Sequence, residues 1–323
     1  MASAVHLTRT GGPEVMVLQP VDQVQPGPNE AWIEHEAIGV NYLDVMQRKG
    51  TAPLPLPGGL GLEAAGRVTA VGPGVDNVAP GDRVAYILGG AGSYATGRIY
   101  AADRLIPIPE KLTYDDAAAI LFKGITAQYL LKTTYEVGPG TVVLLYGVGG
   151  GVGQIMVPWA KHLGATVIGV VSKPSSVERA RASGCDAVLV WGDCDLPKEV
   201  AAITGGRKAD VVYDAIGRDT FQASLDSLAP RGVMVSFGAS SGSPPPVEIS
   251  ALGKNSLFVT RPSLATHATD IEEYRSRAID VFDAVSKGII KPRIWKTYPL
   301  SEVAAAHEAL ESGASAGTIL LKP

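Results

Sequence analysis

The sequence contains only two cysteines, Cys185 and Cys194, nine positions apart. This spacing excludes a disulfide framework and a CxxC pair, and it favours a reducing compartment, so we expect a cytoplasmic protein. The sequence also has no block of five or more lysines or arginines, and its net charge is −4. Charge therefore gives no reason to expect nucleic acid or an anionic membrane as the main partner.

Long apolar runs are also rare. Arg9 and Glu14 interrupt the N-terminal stretch before it could form the core of a signal peptide. Residues 137–160 carry no charge, but seven glycines and two prolines break the run. A buried strand followed by a glycine turn explains this segment better than a membrane-spanning helix does. We therefore expect no membrane association.

The 323 residues, of which 46% are hydrophobic, are enough for about two domains. Up to about residue 122, short β-type runs such as "AWIEHEAIGV" and "GDRVAYIL" are separated by glycine and proline, which is typical of a partly open barrel or folded antiparallel sheet. "TYDDAAAILFKGITAQYLL" then predicts a helix with Thr113 as its N-cap.

From about residue 141, strand-like and helix-like segments alternate. The apolar runs are "TVVLLY", "TVIGVV", "AVLVW", "DVVYD", "VMVSF" and "SLFVT". Near-continuous apolar strands separated by helix-length segments predict an α/β fold with a doubly wound parallel sheet. After 262, two helical stretches and a closing strand, "GTILLK", should return to the first domain. The sequence thus predicts that residues 1–123 form the first part of one domain, that residues 124–261 form a second domain, and that residues 262–323 return to the first.

The glycine-rich segment "LLYGVGGGVGQ" (144–154) lies between the first of these strands and a predicted helix. Free N–H groups at such a turn bind a pyrophosphate, and missing side chains let it approach. When the GxGxxG motif of dinucleotide-binding turns is aligned on its last glycine, it corresponds here to Val148-x-Gly150-x-x-Gly153. This match predicts a dinucleotide site formed by Gly150, Gly151, Val152 and Gly153. Pro158 should kink or shorten the following helix.

The end of the second strand indicates which dinucleotide is bound. An acidic residue here would hold the ribose 2′-hydroxyl of NAD, but no carboxylate occurs before Glu178. The hydroxyls of Ser172, Ser175 and Ser176 and the cation of Lys173 suit a 2′-phosphate instead. The alternative is an ordinary polar surface loop.

Several stretches resemble the zinc-free quinone oxidoreductase (zeta-crystallin-like) family of the medium-chain dehydrogenase/reductase superfamily. They are "GLEAAGRVTAVGPGV" (61–75), "GDRVAY", "NYLD", "GGVG" and "VTRPSL". The resemblance implies a Rossmann NADPH-binding domain inserted into a GroES-like, mainly-β catalytic domain, and reduction of quinones or related enones. It also implies a homodimer joined at the edge strand "SLFVT".

The zinc-dependent relatives place Cys-His where this sequence has Asn41-Tyr42, and Gly-His-Glu where it has Gly61-Leu62-Glu63. Neither cysteine lies in the first domain, so we expect no zinc. A quinone or conjugated enone accepts a hydride with less polarisation than an ordinary ketone needs. Orientation and a dry pocket then suffice for catalysis.

The resemblance also implies roles for single residues. Those of the catalytic and substrate side are Asn41, Tyr42, Asp44, Met46, Ala52 and Arg261. Those of the cofactor side, besides Asn41 and the glycine turn, are Thr126, Tyr129, Ser172, Lys173, Ser176, Trp191, Ile216, Phe237 and Gly238.

Four of these residues have simpler alternatives. Asn41 could form a turn with its own backbone, and Asp44 could form a helical ion pair with Arg48. Tyr129 could belong to the core, and Arg261 could form a salt bridge between the domains. We expect the histidines His35, His162, His267 and His307 to be surface or structural residues.

The sequence departs from the family at several positions. Met46 and Ala52 replace tyrosines, which predicts a roomier and less polar pocket. Ser176 replaces a lysine, Trp191 a tyrosine and Gly313 an arginine among the 2′-phosphate contacts, and we expect Lys173 to supply the missing charge. The predicted protein is a metal-free NADPH:quinone oxidoreductase; the alternatives are an alkenal or enone double-bond reductase and a non-catalytic, crystallin-like NADPH-binding protein.

Overall fold

The computed structural model describes residues 2–313 and 315–323. The chain divides into two compact units. The first consists of Met1–Gly124, Thr269–Ser286 and Lys291–Pro323, and the second of Ile125–Ala268 and Lys287–Ile290. None of the described helices is both long and apolar enough to cross a membrane.

The strands, in chain order, are β1 (Ala2–Leu7), β2 (Val17–Val21), β3 (Glu30–Val40), β4 (Gly58–Gly59), β5 (Glu63–Val71), β6 (Arg83–Ile87), β7 (Gly97–Ala101), β8 (Ile106–Pro107), β9 (Val142–Tyr146), β10 (Thr166–Val171), β11 (Ala187–Val190), β12 (Ala209–Asp214), β13 (Leu228–Ser236), β14 (Phe258–Thr260), β15 (Ile294–Pro299) and β16 (Thr318–Lys322). The α-helices are α1 (Tyr42–Lys49), α2 (Tyr114–Tyr129), α3 (Gly153–His162), α4 (Val177–Ala182), α5 (Leu196–Ile203), α6 (Phe221–Asp226), α7 (Ile249–Gly253), α8 (Leu264–His267), α9 (Ile271–Ser286) and α10 (Val303–Glu311).

The first unit contains two sheets. One has the order β2-β1-β4, and the other has the order β15-β16-β3-β5-β6-β8, with β7 also paired to β3. Strands β3 and β5 run antiparallel, and apolar residues of both, such as Ile33 and Val68, are fully buried in one core. This is the mainly-β architecture that the glycine and proline spacing predicts.

The second unit contains a six-stranded parallel sheet of order β11-β10-β9-β12-β13-β14. Numbered within the sheet, this is 3-2-1-4-5-6, the order of a Rossmann fold, whose ligands bind beyond the carboxyl ends of the strands. All five residues of β9 are buried, as expected for a central parallel strand. The predicted α/β fold, with a Rossmann sheet and a mainly-β domain, is confirmed.

Several local features differ from the sequence prediction. Strand β15 was not predicted, and because most of its residues are exposed, it lacks the apolar signal of a core strand. Among the described residues after 262 there are three α-helices rather than the two predicted, one of them only four residues long. Pro158 lies inside α3, as the sequence predicts, and the helix continues past it to His162.

Candidate functional site

The glycine-rich turn follows β9 and leads into α3. Gly147 has a φ of 68°, a conformation that favours glycine. A Cβ added to Gly153 would lie 2.3 Å from the Gly147 carbonyl oxygen and 2.7 Å from the Val148 Cα, so the first turn of α3 packs directly on the chain leaving β9. Gly150 donates its N–H to the Gly147 oxygen at 2.9 Å, which closes the turn.

The other N–H groups of this turn have no acceptor among the described residues: they belong to Val148, Gly149, Gly151, Val152 and Gly153. The side chain of Gln154 donates to the Gly149 oxygen at 2.6 Å and so holds the backbone in place. Unpaired amides at the start of a helix form an anion site, because they combine N–H donors with the positive end of the helix dipole. The turn therefore fits the pyrophosphate of a dinucleotide.

The polar loop after β10 lies beside this turn, because β10 and β9 are neighbouring parallel strands of the sheet. Ser172 and Lys173 are exposed, and Ser176 is half-buried. Trp191 follows β11, and its N–H donates to the Val171 oxygen at 2.8 Å. The four predicted residues therefore follow the carboxyl ends of the neighbouring strands β10 and β11, where a Rossmann fold binds the adenosine half of its ligand.

A second set of predicted residues lies at the ends of β12 and β13. The buried Asp214 carboxylate accepts the N–H of Ile216 at 2.7 Å and of Gly217 at 3.0 Å, which fixes the loop after β12. Phe237 donates its N–H to the Asp214 carbonyl at 2.9 Å. A Cβ at Gly238 would lie 2.5 Å from the Ala215 oxygen, so only glycine allows these two loops to approach so closely.

The remaining predicted residues of the second unit are Arg261, Thr126 and Tyr129. The exposed Arg261 donates from Nη1 to the Ser236 Oγ at 3.3 Å, so it lies at the end of β13. Thr126 and Tyr129 are buried on α2. Tyr129 stacks on His267 with the ring centroids 4.2 Å apart. This contact gives His267 a structural role, as the sequence analysis expects.

In the first unit, Asn41 precedes α1 and is 4% exposed. Its Nδ2 donates to the Glu63 carboxylate at 3.0 Å, and its Oδ1 accepts from the Lys123 ammonium at 2.8 Å. The Lys123 Nζ also lies 3.7 Å from the Glu63 Oε2. The amide is therefore held in one orientation by a buried carboxylate and a buried cation, which leaves one of its two N–H bonds directed elsewhere.

The Glu63 side chain is fully buried, and burial raises the pKa of its carboxyl. Every contact of its oxygens is with an N–H donor: besides Asn41 and Lys123, the Phe122 backbone N–H donates at 2.7 Å. Donors of this kind stabilise the ionised form and oppose the effect of burial. Glu63 and Lys123 thus form a buried ion pair around Asn41.

Asp44 is also fully buried and does not pair with Arg48. Its Oδ2 accepts the backbone N–H of Asn41 at 2.8 Å and the Tyr94 hydroxyl at 2.9 Å, and Tyr94 in turn contacts the His307 Nε2 at 3.0 Å. Burial raises the pKa of Asp44 to about 7 and lowers that of His307 to about 3. Arg48 forms its ion pair with Glu311 instead.

Asp44 fixes the backbone of Asn41 and exposes no atom to a ligand. The predicted substrate residues lie on the same helix and the turn after it: Tyr42 is exposed, while Met46 and Ala52 are half-buried. Ala52 donates its N–H to the Met46 oxygen at 3.1 Å, so these two adjoin.

The residues do not fit zinc. Asn41 and Tyr42 offer no thiolate or imidazole, and the Glu63 carboxylate is already occupied by Asn41, Lys123 and the backbone. Within residues 2–313 and 315–323, no group of three or more histidine, cysteine, aspartate or glutamate side chains could hold a metal ion.

Sequence reasoning assigned no role to Glu63, Lys123 or Tyr94, and it expected His307 only to be a surface or structural residue. A signal for the first two is present in the sequence: each is a lone charge in an apolar segment, "GLEAAG" and "ILFKGIT". A charge in such a segment must find a buried partner. Tyr94 and His307 lie 213 positions apart, and no local pattern indicates that they meet.

Two family models match the chain. Residues 27–110 match the alcohol dehydrogenase GroES-like domain, and residues 151–283 match the zinc-binding dehydrogenase model. Together they cover both units.

Similar proteins match over the full length. The 2-haloacrylate reductase of a Burkholderia species is 43% identical over 100% of this chain and 99% of that protein. Quinone oxidoreductase 1 of Escherichia coli is 42% identical over 100% of both chains. A crystal structure of the Escherichia coli quinone oxidoreductase complexed with NADPH has a TM-score of 0.95 at 41% identity, and covers 99% of this chain and 100% of that one.

Proposed function

Since the chain belongs to the quinone oxidoreductase family of the medium-chain dehydrogenase/reductase superfamily, we propose that it is an NADPH-dependent oxidoreductase that reduces quinones or conjugated enones. The observation that carries the proposal is the glycine turn after β9, whose five unpaired amides form an anion site at the carboxyl edge of a Rossmann sheet. A relative with 41% identity binds NADPH in its crystal structure.

Bound NADPH supplies the hydride, that is, both electrons and one hydrogen nucleus. The unpaired amides of the turn would hold its pyrophosphate; they belong to Val148, Gly149, Gly151, Val152 and Gly153. On the adenosine side, the contacts are Ser172, Lys173, Ser176 and Trp191. On the nicotinamide side, they are Thr126, Tyr129, Ile216, Phe237 and Gly238.

Asn41 binds the substrate oxygen or the nicotinamide amide with its remaining N–H. Because Glu63 and Lys123 hold the other polar atoms of its side chain, this donor is fixed before the ligand arrives. The buried ammonium of Lys123 also polarises the Asn41 amide, which strengthens hydrogen bonding to an oxygen that gains negative charge. Such preorganised donors stabilise the transition state without reorganising during the reaction.

Met46 and Ala52 favour a second candidate within the same chemistry, the reduction of an activated carbon–carbon double bond. They adjoin each other at the end of α1 and add apolar surface against which an alkenal or acrylate could lie. The relative with 43% identity is a 2-haloacrylate reductase, which acts on a conjugated acid of this kind.

We further propose a homodimer joined through β14, the edge strand of the parallel sheet. Phe258 on this strand is 60% exposed, and an edge strand presents unpaired N–H and C=O groups with which a second strand can pair. We also propose that the protein is cytoplasmic. Its two cysteines, Cys185 and Cys194, form no disulfide with each other, and free thiols suit a reducing compartment.

A steady-state assay tests the proposed reaction. The loss of NADPH absorbance is followed with a series of small quinones and a series of alkenals and acrylates, and kcat/KM is compared between the two. Turnover with either series supports an oxidoreductase, and the ratio distinguishes the two candidates. Tight NADPH binding without turnover of any quinone or enone would leave only the non-catalytic, NADPH-binding alternative.

A further inference from the structure

We propose that Arg179 is the residue that selects NADPH over NADH, by binding the 2′-phosphate in place of the lysine that this chain lacks at Ser176. This inference rests on the proposed function, because it concerns the same cofactor. It assigns the cation that binds the phosphate to a residue that the sequence pattern does not single out.

The position of the guanidinium carries the proposal. Arg179 lies on α4, after the loop that follows β10, and its Nη2 donates to the Ser176 Oγ at 3.3 Å. A Cβ built on Gly149 would lie 3.3 Å from the same Nη2. The guanidinium therefore lies between the glycine turn after β9 and the polar loop after β10.

This is the place where a Rossmann fold distinguishes the two cofactors. The pyrophosphate binds at the first of these loops, and the ribose 2′ position lies at the second. An acidic side chain at the second loop binds the 2′-hydroxyl, whereas an arginine nearby binds a 2′-phosphate. In this chain the first residues of that loop are Ser172 and Lys173, and neither is acidic.

The charge of Arg179 is available to a ligand. The side chain is exposed, and within residues 2–313 and 315–323 it has no carboxylate partner. Its acidic neighbour Glu178 is paired with Arg181 at 3.0 Å. A planar guanidinium that is not neutralised by the protein matches the geometry of a phosphate, with which it forms two parallel hydrogen bonds.

The contact with Ser176 explains how the lysine can be absent. A side chain at position 176 reaches the space that the Arg179 guanidinium now occupies, since the two groups are within hydrogen-bonding distance. The hydroxyl of Ser176 is small enough to admit the guanidinium and accepts one of its N–H groups. The remaining N–H groups of Arg179 have no acceptor among the described residues and would bind the 2′-phosphate.

Equilibrium binding tests this assignment without relying on turnover. The dissociation constants of NADPH and NADH are measured by fluorescence titration for the unaltered protein, Arg179→Ala, Arg179→Lys and Arg181→Ala. Arg181→Ala is the matched control, because it removes an equal charge from the same helix. Competition by 2′,5′-ADP and 5′-AMP repeats the comparison with ligands that lack the nicotinamide.

We expect Arg179→Ala to weaken NADPH and 2′,5′-ADP by about tenfold or more, the effect of losing a charge-assisted hydrogen bond to phosphate. NADH and 5′-AMP should change by less than about twofold on the same reasoning. Arg179→Lys should recover part of the loss, and Arg181→Ala should match the unaltered protein.

Equal weakening of NADPH and NADH by Arg179→Ala, or no weakening of either, would overturn the assignment of Arg179. A loss of selectivity in Lys173→Ala but not in Arg179→Ala would overturn it in favour of Lys173. In both cases the proposed function would stand, because the unaltered protein would still bind NADPH. Failure of the unaltered protein to bind either dinucleotide would contradict the proposed function itself.

Discussion

The charges of Lys123 and Glu63 should be strongly coupled, because both are buried and removal of either one leaves the other without its counter-charge. The Lys123 side chain is 9% exposed and the Glu63 side chain 0%, with 3.7 Å between Nζ and Oε2. At this distance and an effective dielectric constant of about 20, two unit charges attract by about 4 kcal/mol. Lys123→Met would leave the Glu63 carboxylate buried without its cation, and Glu63→Gln would do the same to Lys123.

A double-mutant cycle measures this interaction. The free energy of unfolding in urea is determined for the unaltered protein, Lys123→Met, Glu63→Gln and the double variant, with fluorescence and circular dichroism as independent probes. We expect each single variant to lose about 3 kcal/mol or more, and the double variant to lose less than their sum by about 3–4 kcal/mol.

The exposed pair of Arg181 and Glu178 is the matched control. Its side chains are 60% and 85% exposed at a distance of 3.0 Å, and its coupling energy should be below about 1 kcal/mol. If the effects of Lys123→Met and Glu63→Gln add without coupling, or couple no more than this surface pair, the two charges do not stabilise each other as argued.

Two further predictions concern the glycine turn and Asp44. Gly153→Ala should weaken NADPH binding by about tenfold or more, because the new Cβ would lie 2.3 Å from the Gly147 oxygen and displace the amides; titration of NADPH fluorescence measures it. Asp44 has a folded pKa of about 7, above its ordinary value of 3.8. The stability from its protonated form is therefore present at low pH and lost as the pH rises towards 7. Relative to Asp44→Asn, the unaltered protein should lose about 2 kcal/mol of unfolding free energy between pH 5 and pH 7, measured by urea denaturation at both pH values.

Gly138→Ala is the control for the glycine turn, because a Cβ there meets no atom within 4 Å. Equal affinities of Gly138→Ala and Gly153→Ala for NADPH would show that the close approach is unimportant. For Asp44, a stability difference from Asp44→Asn that is the same at pH 5 and pH 7 would mean that the carboxyl does not titrate in this range.

The sequence predicts the Rossmann sheet well because central parallel strands are buried on both faces. Runs such as "TVVLLY" and "TVIGVV" therefore consist almost entirely of apolar residues, and the structure has strands β9 and β10 there. Strand β15 has no such signal, because it is an edge strand with mostly exposed residues. Its position is determined by pairing with β16, which a local pattern does not reveal.

The candidate site, like the fold, is predictable only where a local sequence pattern determines the structure. The glycine turn has a local signature, because its conformation and close packing require glycine at fixed spacings. The surroundings of Asn41 depend on Glu63 and Lys123, which lie 22 and 82 positions away, so their contacts follow from the fold and not from spacing. The same is true of Arg179, which meets the glycine turn only because β9 and β10 are neighbours in the sheet.

The central claim is that hydride passes from NADPH held by the glycine turn to a conjugated acceptor. The most direct test is a single-turnover reaction of the protein with NADPH deuterated at either face of nicotinamide C4 and with a conjugated enone. We predict that one of the two cofactors transfers its deuterium to the β-carbon of the enone, seen by mass spectrometry of the product, and that this cofactor reacts more slowly than unlabelled NADPH. Bound NADPH that stays reduced in the presence of enones and quinones, or a reduced enone without deuterium from either cofactor, would contradict the claim.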